Sequence, residues 1–223
     1  MINYPAIVPS SITVDEGMAL EMLAPYSGII LTGGSSRRMG RDKLSLPLLG
    51  RPLIYWAADC LKGAGEIIAA GGRGPQCFPE ALWVPDSFPG SGPTAGIHAG
   101  LKAAKHAAAF VVAGDMPFVP AAFVEWVLGE LGDGDAVFPL FEGRVPVCGA
   151  FSTACCDVVE DFLRSGERKL TLLLNRLDVK YIDGGKMADT FPGNIFINVN
   201  TPEELKQAEQ IALSGHLRGM KTC

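Results

Sequence analysis

"GIILTGGSSRRMGRDK", residues 28–43, reads as a short buried strand running straight into a loop rich in glycine and cations. Gly33 and Gly34 have no Cβ, so the backbone there can turn sharply and approach a ligand closely. Successive N–H groups in such a loop can form an anion-binding nest. Arg37, Arg38, Arg41 and Lys43 place four cations in the last seven positions of the stretch, in a chain of formal net charge −5. Arginine grips phosphate oxygens in a fork, and lysine acts as a compact point charge. The pattern is neither GxxxxGK[ST] nor GxGxxG. A solvated basic loop is the alternative to an anion site, and the remainder of the chain has to decide between them.

Outward from this stretch, short apolar runs alternate with segments of helical spacing. The runs at Gly28–Leu31, Glu66–Ala70, Leu82–Val84, Ala108–Ala113, Ala136–Pro139, Val179–Ile182 and Asn194–Val199 are expected as strands. The strong ones are continuous and bounded by Gly, Pro or Asp, as befits strands buried on both faces. Helices are expected at Pro52–Leu61, Thr94–Ala104, Pro120–Leu131, Ala154–Leu163 and Pro202–Leu213, with Pro52, Pro120 and Pro202 at first-turn positions. This alternation predicts an α/β fold: three layers, α/β/α, around a mostly parallel Rossmann-like sheet. Ligands of such sheets bind beyond the carboxyl ends of the strands.

The chain has 223 residues, enough for one sizeable core. We read residues 1–26 as an N-terminal extension, 27–214 as a single domain and 215–223 as a tail. The extension has no basic region before an apolar core and carries Asp15, Glu16 and Glu21, so it does not read as a secretory signal. Met18 and Met22 are alternative start positions, which the mass of protein expressed from the native gene distinguishes. A pI near 5.2 argues against a broad basic surface for nucleic acid. No stretch approaches the roughly 18 apolar residues of a spanning helix, so no membrane role is expected. The cysteines at 60, 77, 148, 155, 156 and 223 form no CxxC and read as reduced, mostly buried thiols of a cytoplasmic protein. His98, His106 and His216 have no second histidine at ligand spacing and read as surface or packing residues.

Three more strand ends bear on the loop. In "VPDSFPGSGPTAG", residues 84–96, Asp86 follows a strand, and Gly90, Gly92 and Pro93 lead into a helix whose N-terminus is a second potential anion site. An ordinary Pro/Gly turn capped by Thr94 is the alternative. In "AFVVAGDMPFV", residues 109–119, Asp115 stands at the mouth of the sheet. It is placed either to hold Mg²⁺ together with phosphate oxygens or to cap a turn before Pro117. In "FINVNTPEEL", residues 196–205, Asn198 and Asn200 leave the final strand, either to orient a substrate or to satisfy loop backbone. Thr201 and Glu204 have the spacing of a capping box.

Together these motifs resemble one family. LTGGSSRRMGRDK is similar to the nucleotidyltransferase signature LxGGxSxRMGxxK, and VPDS…GPTAG, AGDMP and INVNTPEEL follow in the family's order, from about Gly28 to Leu213. The resemblance is to the molybdenum cofactor guanylyltransferases, the MobA-type enzymes, and it implies the nucleotidyltransferase variant of the three-layer fold. It implies transfer of GMP from GTP to molybdopterin (Mo-molybdopterin), with release of pyrophosphate. It implies nucleotide contacts at Leu31, Thr32, Gly33, Gly34, Lys43 and Asp86, and Mg²⁺ on Asp115. Arg38 falls near the phosphates, and Asn198 and Asn200 fall near the second substrate. It further implies transient contacts with cofactor-assembly proteins or acceptor molybdoenzymes.

Two departures stand out. Thr32 replaces the usual alanine, and Ala70 stands where the family has an asparagine that helps hold the nucleotide. A related transferase using CTP or a sugar-phosphate acceptor is therefore the alternative enzyme. A non-catalytic nucleotide-binding adaptor is the alternative outside catalysis, although Lys43 and Asp115 together favour an enzyme.

Overall fold

The computed structural model describes residues 24–33, 43–71, 78 and 80–219 of the chain. Its centre is a seven-stranded sheet. The strands are β1 (Tyr26–Leu31), β4 (Glu66–Ala70), β5 (Leu82–Val84), β6 (Ala108–Ala113), β7 (Ala136–Leu140), β8 (Cys148–Ser152) and β9 (Val179–Asp183). Their spatial order is β5-β4-β1-β6-β8-β7-β9. A small antiparallel ladder, β2 (Pro47–Leu48) with β3 (Arg51–Pro52), lies outside this sheet. The helices are α1 (Leu53–Ala58), α2 (Pro93–Ala103), α3 (Ala121–Gly129), α4 (Cys156–Arg164), α5 (Leu170–Leu174), α6 (Gly184–Ala188) and α7 (Pro202–Gly219). Helix α7 runs on into the stretch read from sequence as a tail.

All neighbouring pairs run parallel except those of β8, which is antiparallel to both β6 and β7. The other six strands therefore share one direction, and their carboxyl ends line one edge. Alternation along β1 shows the layering. Ile30 joins Ile54, Phe110 and Phe123 in one core, on the side of α1 and α3. Ile29 and Leu31 join Ile97, Phe151 and Phe162 in the other, on the side of α2, α4 and α5. A third, smaller cluster joins Leu48, Leu53, Val199 and Ala208, seating α7 against the small ladder.

Helix α2 sits very close to the sheet. A Cβ at Gly100 would come within 2.5 Å of Ile29 Cγ2, and one at Gly96 within 3.0 Å of Leu31 Cδ2. These two glycines, one helical turn apart, let the N-terminal end of α2 approach the ends of β1 and β4.

One expected strand is absent. Residues Gly193–Phe196 form a 3-10 turn, and no strand spans 194–199. The reason is where the backbone donors go. Ile195 N–H bonds Pro192 O and Ile197 N–H bonds Asn194 O, so these donors are used locally rather than in a ladder. Unforeseen were β8, the small ladder of β2 and β3, and the short helices α5 and α6.

Candidate functional site

The carboxyl ends of β1, β4, β5 and β6 converge on one edge, and each end is tied to its neighbour. Thr32 N–H donates to Ala70 O (2.9 Å), Gly71 N–H to Val84 O (3.1 Å) and Gly114 N–H to Leu31 O (3.0 Å). The end of β1 is thus fastened on both sides. The Thr32 hydroxyl turns toward β4, donating to the carbonyl oxygens of Ala70 and Gly71. Gly71 has φ +82°, a region glycine adopts without penalty, and a Cβ there would lie 3.1 Å from Asp86 Oδ1. The Asp86 carboxylate therefore lies over the end of β4, beside Thr32.

The strongest convergence is at β6. Asp115 is 9% exposed and follows Gly114 at the mouth of the sheet. Lys43 Nζ lies 2.6 Å from Asp115 Oδ2 and donates to Asn200 Oδ1 at 2.9 Å. Lys43 begins a 3-10 turn whose next residue, Leu44, is buried against Gly114. The segment at 198–200 is fastened from the other side, where Val199 N–H donates to Asp115 O at 2.9 Å. Val199 is buried while Asn198 and Asn200 are exposed. The capping box forms as expected: Glu204 N–H donates to Thr201 Oγ1, and Glu204 Oε2 accepts from the N–H groups of Thr201 and Asn200. Three distant parts of the chain thus meet around one lysine. The contact from the last part comes from Asn200; Asn198 is exposed and joins neither Lys43 nor Asp115.

The expected site residues fall out as follows. Leu31, Thr32, Lys43, Asp86, Asp115 and Asn200 gather at the strand-end edge, with Gly33 exposed just beyond Thr32. Gly34 and Arg38 lie outside the described residues, as do Arg37 and Arg41. The asparagines leave a 3-10 turn and extended chain rather than a final strand. Thr94 does not cap its helix: it is buried, and its hydroxyl donates to Arg168 O (3.0 Å).

Burial dominates the electrostatics at Asp86. It raises the carboxyl's pKa above the ordinary value, opposed by the neighbouring His98. Among the described residues Asp86 Oδ1 is buried without a hydrogen-bond partner. A desolvated acceptor of this kind is matched by a ligand N–H or O–H. Among the described residues the cysteines offer no ready nucleophile: burial pushes the Cys155 thiol up to about 12 and raises that of Cys156. Among the described residues no three His, Cys, Asp or Glu side chains cluster as a metal centre. The donor set at Asp115 suits a different arrangement, in which one carboxylate holds Mg²⁺ alongside phosphate oxygens and water.

Sequence reading passed over the partnership of His98. This α2 residue is fully buried, and its Nε2 lies 3.1 Å from Glu160 Oε2 on α4. The signal available was its place among small apolar residues in "TAGIHAGL", where a histidine requires a partner.

A strand-end acid with a lysine bound to it, at the carboxyl edge of a mostly parallel sheet, points to a nucleotidyltransferase of the α/β type. Within that class, the chain belongs to the family of MobA-like NTP transferase domains, whose sequence profile matches residues 28–180. It is 34% identical over 197 residues to a molybdenum cofactor guanylyltransferase of Desulfosudis oleivorans, covering 86% of this chain and 98% of that relative. It is 37% identical over 194 residues to a molybdenum cofactor guanylyltransferase of Cereibacter sphaeroides, covering 82% and 95%. Among solved structures, it superposes on molybdopterin-guanine dinucleotide biosynthesis protein A of Archaeoglobus fulgidus with TM-score 0.72 and 30% identity, covering 84% and 99%. The 4-diphosphocytidyl-2C-methyl-D-erythritol synthase of Anaerococcus prevotii shares the fold at TM-score 0.65 and 17% identity, covering 85% and 96%.

Proposed function

We propose that this protein transfers GMP from GTP to the terminal phosphate of molybdopterin, giving molybdopterin guanine dinucleotide and pyrophosphate. The observation that carries this is the meeting of Lys43, Asp115 and Asn200 at the mouth of the sheet, within 2.6 and 2.9 Å. The names of the relatives supply the substrates.

The acceptor oxygen attacks the α-phosphorus of GTP. A new P–O bond forms there, the bond to the bridging oxygen of the β-phosphate breaks, and pyrophosphate leaves with that electron pair. A phosphate monoester is already largely ionised near neutral pH, because its second pKa is about 6. No general base is needed. The protein's task is positioning and charge neutralisation. Lys43 neutralises phosphate charge, a task the signature motif assigns to Arg38 as well. Asp86 accepts a hydrogen bond from the base or ribose. Asn200 orients Lys43 and, with Asn198, faces the acceptor. Asp115 is the residue to hold Mg²⁺, which when bound neutralises charge on phosphate oxygens.

Ala70 presents only a methyl group at the end of β4, and Thr32 spends its hydroxyl on the Ala70 and Gly71 carbonyls. These two positions are what favour testing CTP beside GTP. We place the protein in the cytoplasm, where cofactor-assembly proteins or acceptor molybdoenzymes receive the product; no helix among the described residues is long and apolar enough to cross a membrane.

The test is pyrophosphate release with molybdopterin and each of GTP, CTP and ATP, with and without Mg²⁺. Release with GTP that requires both molybdopterin and Mg²⁺ is expected. Release with CTP alone overturns the guanine assignment, and no release with any nucleotide overturns the reading.

A further inference from the structure

Behind the nucleotide edge lies a polar chain that the proposed reaction does not use. Glu160 on α4 accepts from Arg164, from Lys102 (3.3 Å) and from His98 Nε2 (3.1 Å). Those three contacts, Arg164 first, hold its carboxyl down to about 2. It is therefore an ionised acceptor, and Nε2 of His98 must carry the proton it receives. The other ring nitrogen, Nδ1, is buried and has no partner. Among the described residues, the other buried side-chain polar atom in the same condition is Asp86 Oδ1. The two residues are linked twice. The Phe88 ring and the His98 imidazole pack in a T-shaped pair, with centroids 5.3 Å apart and planes at 77°, and Phe88 is two residues after Asp86. The imidazole also lies within electrostatic reach of the Asp86 carboxylate.

A histidine in this place costs free energy that an apolar residue would not. A buried unpartnered nitrogen is unfavourable, and its α2 neighbours Ile97, Ala99 and Leu101 are apolar. Packing alone does not call for an imidazole here.

We propose that His98 is a positioning residue for the nucleotide site, fixing the Asp86–Phe88 segment and its carboxylate from behind, with Glu160 as its anchor. The inference rests on the reading of Asp86 as a nucleotide contact. Its consequence is a residue buried beneath the strand ends that sets affinity for the nucleoside triphosphate without touching it. The charged groups beside the imidazole are Asp86 after β5 and Glu160 on α4, the latter itself held by Arg164 and Lys102; β5 and α5 bring no charged side chain.

A double-mutant cycle tests this, with His98→Leu, Asp86→Asn and the pair, reading kcat and KM for GTP by pyrophosphate release and the melting temperature of each. Asp86→Asn is expected to raise KM for GTP. His98→Leu is expected to raise KM about five- to tenfold, within the usual coupling of neighbouring residues, while kcat changes little. Its melting temperature is expected to hold or rise, since an unpartnered nitrogen is removed. In the Asp86→Asn background, His98→Leu is expected to add no further change in KM. His98→Gln, which keeps one donor toward Glu160, is expected to lie between wild type and His98→Leu. Equal effects of His98→Leu in both backgrounds, a loss of kcat alone, or no effect on KM overturns the inference while leaving the Asp86 reading intact. If Asp86→Asn itself leaves KM unchanged, the reading of Asp86 fails and the inference fails with it.

Discussion

Replacing Lys43 with alanine separates two quantities that the structure allows to be estimated. The ammonium lies 2.6 Å from Asp115 Oδ2, and the two side chains are 17% and 12% exposed. At an effective dielectric of ~20, unit charges at that separation attract by about 6 kcal/mol. Desolvating both groups offsets most of this, so the expected net loss of stability is about 2 kcal/mol. In a chain of this size that lowers the melting temperature by about 4–8 °C. The catalytic loss is a different effect. Lys43→Ala removes a fixed cation from the place where triphosphate charge collects, and such a removal costs roughly a hundredfold to a thousandfold in kcat. The assay is pyrophosphate release at saturating GTP and molybdopterin, at a temperature where melting curves show the variant fully folded. Turnover near that of wild type refutes the assignment of Lys43. So does a loss no larger than the unfolded fraction explains.

Asp115→Asn keeps a hydrogen-bond acceptor for Lys43 but removes the charge; kcat is expected to fall at least about a hundredfold, with a higher Mg²⁺ concentration needed for half-maximal rate. Asn200→Ala removes a 2.9 Å contact to Lys43, and kcat/KM is expected to fall about threefold to tenfold, the scale of one hydrogen bond. Asp86 gives a pH dependence of defined sign. Its folded-state pKa is raised by burial, so the native chain holds that proton more tightly than the unfolded chain, and stability falls as pH rises through the window above the ordinary value of 3.8. Asp86→Asn is expected to melt higher than wild type at neutral pH, with the gap closing as pH falls below that value; calorimetry across pH checks it, and a gap that widens on acidification contradicts it. At Gly149 a Cβ would meet Val137 O at 2.6 Å and the Phe138 ring at 2.8 Å, so Gly149→Ala is expected to destabilise the sheet by about 1–3 kcal/mol in denaturant titration.

The sheet's parallel part was legible because its strands are continuous apolar runs ending in Gly or Asp, and β4, β5 and β6 fall where those runs lie. Strand β8 was not legible, for the reason that Gly149→Ala is expected to be harmful. "CGAFS" looks like loop because its glycine is dictated by the close approach of β7, a tertiary requirement without a local signature. The segment at 194–199 erred in the opposite direction: a short apolar run suggested a strand, but Pro192 leads into a 3-10 turn that consumes the donors locally. That Lys43, Asp86 and Asp115 lie along one edge of the sheet was readable from their places beside apolar runs, while their mutual distances and the approach of Asn200 to Lys43 were not. Neither was the role of His98, since a lone histidine on a helix shows its partner only once α4 is packed against α2.

The most direct measurement is a crystal structure of the protein with GTP and Mg²⁺ bound. The expected result is the triphosphate against Lys43, Mg²⁺ on Asp115 and the guanosine end toward Asp86. A triphosphate bound elsewhere, or Lys43 and Asp115 drawn apart with neither near phosphate, contradicts the account.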